Sequence, residues 1–286
     1  MFGVAIREQS SLNFVDLVGT DTARPFALFG KRDGALRIAG GSSSLPDALE
    51  RRLSGEPLVQ RVAIHKRHQL AAIARSEGGL KLSFRTADGS PFERTFAHVV
   101  MAMPFTRLRE IRGLGGLALP ADKMMVINEL GHGATAKLIV GADARPAHGR
   151  TISDRGFQTL WESSVGQAGD GAVLTNCFAG EAARGEEAQA LARLQAGLSV
   201  LSPEVAQSLT PKVRTSLFWA NHPHTRGSRA TCLTGQYTRY PEIAARVELD
   251  GRLVFAGEQT AMSAMGTMDG AVAAGERAAR DLLAAG

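Results

Sequence analysis

The chain has 286 residues, of which 44% are hydrophobic and 21% charged, ordinary proportions for a globular protein with a substantial core. Its net charge of +5 is spread along the sequence, and the densest basic stretch, Arg61 to His68, carries no interleaved aromatic residues, so it reads as a solvated face and nucleic acid is not expected as a partner. No apolar run approaches the roughly 20 residues of a membrane span, the start MFGVAIREQSSLNF lacks a basic-then-apolar leader, and Cys177 and Cys232 offer neither a disulfide framework nor zinc-ribbon spacing; the expectation is a cytoplasmic protein without a metal site.

Residues 1–34 are polar and irregular, with turn signals at Gly19 to Asp21 and at Asp33-Gly34. ALRIAGG (35–41) predicts a strand running into the diglycine Gly40-Gly41. SSSLPDALERRL predicts an amphipathic helix: Ser44 is a candidate N-cap, Pro46 sits in the first turn, and Leu45, Leu49 and Leu53 form a stripe. PLVQRVAIHK reads as a strand, QLAAIARSEGGLKLSFRTADG as a hairpin turned at Gly78-Gly79, and PFERTFAHVVMAMP as a strand ending at Pro104. The run VVMAM is apolar on both faces, which predicts burial between two layers.

From Leu108 to Asp122 a glycine-rich loop precedes a helix candidate. TAKLIVG, FQTLWESS and GAVLTNCFAG predict three strands, EAARGEEAQALARLQAGL a surface helix, and VRTSLFWANHPH a strand ending in polar residues. RLVFAG (252–257) is a short buried strand. The alternation predicts a mixed α/β or α+β fold with part of the sheet parallel.

The stretch from RLVFAG onward carries most information. In open α/β sheets ligands bind beyond the carboxyl ends of strands, where Gly257 and Glu258 stand. Behind them, Gly270, Ala271, Ala274, Gly275 and Ala278 give a helix a very small face. Two readings stay open. The small face serves a tight helix-on-sheet contact, or the unpaired amides of the helix start receive a flat, electron-rich group.

FAGEQTAMSAMGTMDGAVAAGERAARDLL resembles the C-terminal flavin signature of the flavin-containing amine oxidase family, which includes monoamine oxidases and L-amino-acid oxidases. IAGGSSSLPDAL, AHVVMAMP, ATAKLIV, SLFWANHPHTRGS and TGQYT resemble further family segments in the expected order. The resemblance implies a partial FAD-binding, Rossmann-like domain at 40–126 and 222–286, and a mixed-sheet substrate domain at 1–39 and 127–221. It implies noncovalent FAD, since no cysteine stands at the covalent position. It implies hydride transfer from the carbon of an amine or amino acid to the flavin, with reoxidation by oxygen.

By the same resemblance, Lys137 is the catalytic lysine that holds a water near the flavin. Gly40, Gly41, Leu70, Gly257, Glu258, Gly266, Thr267, Met268 and Gly270 are cofactor-binding positions, with the amide near Met268 facing the pyrimidine oxygen. Trp219, Arg229 and Thr267 lie on the substrate side. Thr267 stands where monoamine oxidases carry a tyrosine, so an aromatic cage is not expected, and Arg229 suggests a carboxylate on the substrate.

The family's opening strand, G-x-G-x-x-G turn and helix, which cradle the FAD diphosphate, are not found here. The glycine groups at 113–116 and 131–133 do not stand between an apolar strand and an amphipathic helix. Roughly the first third of the family pattern is missing. The expectation is therefore a fragment or subunit, complemented by a second chain that carries the dinucleotide-binding unit. Two alternatives remain: a non-catalytic partner protein, and a desaturase-like or protoporphyrinogen-oxidase-like flavoprotein.

Overall fold

The computed structural model of the chain describes residues 2–15, 38–146 and 149–285. The turn signals at 19–21 and 33–34, and residues 35–37 of the expected first strand, lie outside them. After a short helix α1 (Ser11–Val15), helix α2 (Ser44–Leu53) forms where the leucine spacing predicts it. Its cap is Ser43 rather than Ser44, whose hydroxyl instead donates to Gly41 O at 2.6 Å. The leucine stripe stays bare: Leu45, Leu49 and Leu53 are all exposed, Leu49 by 57%.

PLVQRVAIHK is not a strand. It forms a 3-10 turn over Leu58–Gln60 and then runs irregularly, with Val59 and Ile64 exposed. β-propensity needs a neighbouring strand to act on, and no described strand pairs with this segment.

The hairpin is realised as β1 (Gln69–Ser76) and β2 (Gly79–Arg85), joined antiparallel with Ser76 opposite Gly79. β3 (Pro91–Phe96) completes a three-stranded meander. β4 (Val99–Met101) then leaves that sheet and pairs in parallel with a strand more than 150 residues later. Helices α3 (Phe105–Leu108) and α4 (Ala121–Glu129) follow.

β5 (Thr135–Ala142), β6 (Arg150–Ile152), β7 (Thr159–Glu162) and β8 (Ala172–Ala179) enter a five-stranded antiparallel sheet. Helices α5 (Glu187–Leu201) and α6 (Pro203–Gln207) lead to β9 (Leu209–Phe218), giving the order β6-β7-β8-β5-β9. Helix α7 (Tyr240–Ala245), β10 (Leu253–Phe255) and helix α8 (Met268–Ala285) close the chain. The fold is mixed α/β, with β4 and β10 as its parallel pair.

Two cores result. One gathers Ile73 and Leu80 of the meander, Phe105, Leu108 and Ile127 of α3 and α4, and Leu253 and Phe255 of β10. Phe105 and Phe255 meet edge to face at 6.2 Å. The other packs one face of the five-stranded sheet, through Leu138, Leu160 and Leu174, against Leu194 and Leu198 of α5 and Val205 of α6.

The parallel pair departs from the expected two-layer burial. Val254 is covered by α8 through Ala278, but its register partner Val100, on the same side, is 39% exposed. α8 covers Val254 of β10 and leaves Val100 of β4 exposed, so the apolar pattern of VVMAM exceeds the cover the described residues supply. No described helix is long and apolar enough to cross a membrane.

The chain passes between the two cores at 131–134. Gly133 N donates to Arg229 O at 3.0 Å, Ser228 N donates to Gly133 O at 2.8 Å, and Ala134 N donates to Gly3 O at 2.8 Å. A Cβ on Gly131 would strike Thr231 O, and one on Gly133 would strike Phe2 O. Gly131 and Gly133 thus serve backbone close to backbone. The group at 113–116 does similar work: Gly113 is pressed against Ile73 O and leads into a 3-10 turn, Leu114–Leu117.

Candidate active site

β10 ends at Phe255, and after Ala256 the chain turns at Gly257 with φ +100. Glu258 then reaches back with both carboxylate oxygens. One accepts from Ala230 N at 2.8 Å and the other from Gly266 N at 2.7 Å. Burial pushes its pKa up, and the two amides and the positive Arg229 oppose that. The carboxylate therefore fastens the loop before α8 to the 229–232 segment. Gly266, with φ +79, lies against Arg229: a Cβ there would come 2.9 Å from Arg229 Cδ.

Thr267 caps α8. Its hydroxyl accepts from Gly270 N at 3.0 Å and donates to Ala264 O at 2.6 Å. The amides of Met268 and Asp269 have no hydrogen-bond partner among the described residues, and the Met268 residue is 58% exposed. Gly270 is glycine because a Cβ would strike Ala264 O. Ala274 and Ala278 are buried, the latter against β10, so the tight helix-on-sheet contact is real. Gly275 faces open space.

Lys137 stands on β5 between Cys177 of β8 and Leu217 of β9. Its ammonium is exposed and lies 6.0 Å from the Trp161 ring. Burial pushes the Cys177 thiol up, opposed by the charges of Lys137 and Arg229. β5 begins two residues after Gly133, whose N–H donates to Arg229 O, so the strand that bears Lys137 is tied to the segment that Glu258 holds. Arg229 also sits 4.9 Å over the Phe2 ring. Trp219, half-buried just past β9, packs at 5.4 Å on His222.

A cleft of about 190 Å³ between the 229–232 and 261–265 segments is walled by Phe2, Arg229, Cys232, Tyr237 and Met265. Gly40 and Gly41 hold φ of +81 and +89 in open space. Leu70 lies opposite Phe84, beside Arg85, Arg107 and Arg112 in a separate cleft. No hydrogen bond or ring contact among the described residues links these three to the 257–270 cluster.

Residues 19–283 match the family model described as flavin containing amine oxidoreductase. The chain belongs to that family. The fold is that of a solved putrescine oxidase bound to putrescine, at a TM-score of 0.68 and 19% identity, over 86% of this chain and 53% of that one. A single-site variant of the same enzyme gives a TM-score of 0.69 at 18% identity, again over 53% of its length. This chain thus spans about half the length of those structures.

A flavin is the cofactor this family implies. Toward its ring end the described residues offer the free Met268 and Asp269 amides at the start of α8 and a loop held by Glu258, which fit such a group. The described residues do not fit its diphosphate end, since no strand, glycine turn and helix follow one another in the required way, and the 113–116 and 131–133 glycines are spent on packing.

Sequence reasoning missed the residues that hold α8 and the end of β10 in place. Arg277 donates to Ala245 O at 2.8 Å, Phe255 O at 2.7 Å and Thr260 Oγ1 at 2.9 Å, pinning α8 to the ends of α7 and β10. Gln259 Nε2 donates to Met103 O at 2.9 Å and Ala256 O at 3.0 Å, joining the loops after β4 and β10. An arginine set between the alanines of a helix's small face is the one available signal for the first. Trp161, which faces Lys137, gave none.

Proposed function

We propose that this chain forms the ring-binding and substrate-facing part of an FAD-dependent oxidase acting on the C–N bond of an amine or amino acid. The observation that carries the reading is the Glu258-fastened loop beside the free Met268 and Asp269 amides of α8, tied through the 229–230 backbone to the strand that bears Lys137. FAD, held noncovalently, would supply hydride acceptance and reoxidation by oxygen. Met268 N–H would donate to the ring's pyrimidine edge, and Gly257, Gly266 and Gly270 keep the adjoining backbone in shape. Lys137 would order a water and stabilise charge developing on oxygen. Arg229 and Trp219 would face the substrate. Thr267, its hydroxyl committed to the cap, would offer only its methyl group.

The diphosphate would be held by a second polypeptide that carries a strand, G-x-G-x-x-G turn and helix. The bare leucine stripe of α2 and the uncovered Val100 support this. The test is to purify the chain alone and together with such a polypeptide, then measure flavin absorbance and peroxide release with an amine panel. The chain alone should carry no stoichiometric flavin, and the complex should. In the complex, Lys137→Met should slow reoxidation by oxygen on the order of a hundredfold. Stoichiometric yellow flavin in the lone chain would overturn the two-polypeptide reading. A stable complex without flavin would favour a non-catalytic partner protein instead.

A further inference from the structure

The face of the five-stranded sheet opposite Lys137 holds a polar side chain out of keeping with its surroundings. Asn176 of β8 is 1% exposed and stands in register between Leu138 and Leu160. Its Oδ1 has no hydrogen-bond partner among the described residues. An orphaned buried carboxamide costs roughly 1–3 kcal/mol, so leucine would be the stabilising choice in such a place.

Asn176 is part of the wall of a cleft of about 440 Å³ between the sheet and α5, within the size range of small-molecule sites. Phe157, Phe178 and Ala190 give it apolar walls. Arg193 lines it too, and among the described residues its guanidinium donates once, to Ala182 O at 3.4 Å, and joins no ion pair. The mouth has a fixed shape. A Cβ on Gly156 would strike Arg193 O, and one on Gly197 would strike Arg155 O, so the 153–157 loop rests directly on the α5 backbone. Asp154 stands on the rim, exposed.

We propose that this cleft binds a small monocarboxylate with a hydrogen-bonding group at its far end. The carboxylate pairs with Arg193, whose planar fork suits it. The far group meets the Asn176 carboxamide, and the carbon chain lies against the two phenylalanines. Asp154 repels a second negative charge, so a dianion of the same length is disfavoured. The site needs neither flavin nor the second polypeptide.

The probe is succinamate, compared with butyrate, succinamide and succinate by calorimetry and thermal shift on the purified chain. Succinamate should bind saturably and raise Tm. Butyrate, which lacks the amide, and succinamide, which lacks the charge, should bind roughly tenfold more weakly or worse. Arg193→Met should lose succinamate binding. Asn176→Leu should bind succinamate no better than butyrate, and its ligand-free Tm should rise. Should Asn176→Leu fail to fold, Arg193→Met and the probe series decide the matter. No saturable binding at millimolar succinamate, or wild-type affinity in the folded variants, would overturn the proposal.

Discussion

Glu258 accepts from two backbone amides, and its own amide cannot copy that. In Glu258→Gln one of the two N–H groups would face an NH₂. We expect a loss of about 2 kcal/mol, read from urea denaturation, with the 261–266 loop loosened. Asp122 works through charge. Arg246 grips both its oxygens, at 2.7 and 2.8 Å, and holds its pKa down to about 2, from an ordinary 3.8. The folded value lies below the unfolded one, so the contribution is present above pH 4 and fades as pH falls toward 2. Tm recorded from pH 6 to pH 2 should show that loss, and Asp122→Asn should flatten it. Glu258 and the glycines at 257, 266 and 270 could be singled out from the sequence, because a strand end followed by small residues has few uses. Their neighbours could not: Arg229 and Ala230 come from a segment far away in the chain, and only the fold brings them alongside.

Among the elements, α7 and α4 are held together by one buried lysine. Lys123 donates to Ile243 O at 2.6 Å, Ala244 O at 3.1 Å and Arg246 O at 2.8 Å, and sits 4.1 Å over the Phe255 ring. Burial pulls its pKa down to about 7, with Glu248 at 3.8 Å opposing. Lys123→Met would strip three carbonyls at a helix end of their donor; we expect at least about 3 kcal/mol of destabilisation by chemical denaturation. α2 makes the opposite case. Its stripe is exposed, so Leu49→Glu should leave the lone chain's stability within about 0.5 kcal/mol while abolishing capture of the proposed dinucleotide-binding polypeptide in a pull-down. Leucine spacing announced α2, and a run rich in Ala, Glu and Arg announced α5. It said nothing about what α2 packs on, and the strand expected at 57–66 failed because propensity cannot supply a partner. Lys123 was silent for a related reason: a lone lysine in a short helix looks solvated until α7 is folded over it.

At the scale of the whole molecule, the family match spans residues 19–283 while the chain covers 53% of the solved putrescine oxidase. The mixed α/β class was legible from the order of apolar runs. The division into two cores, one between the meander and helices α3 and α4 and one under α5, depends on β4 abandoning its meander for β10, a long-range pairing that no local pattern encodes. The crossing at 131–134 has a further consequence. Because Gly131 and Gly133 meet foreign backbone with no side chain between, the two halves are riveted rather than hinged, and the gap separating Lys137 from the head of α8 is a dimension of the scaffold. One added methyl at either glycine would act as a wedge, altering that spacing from a place that touches neither.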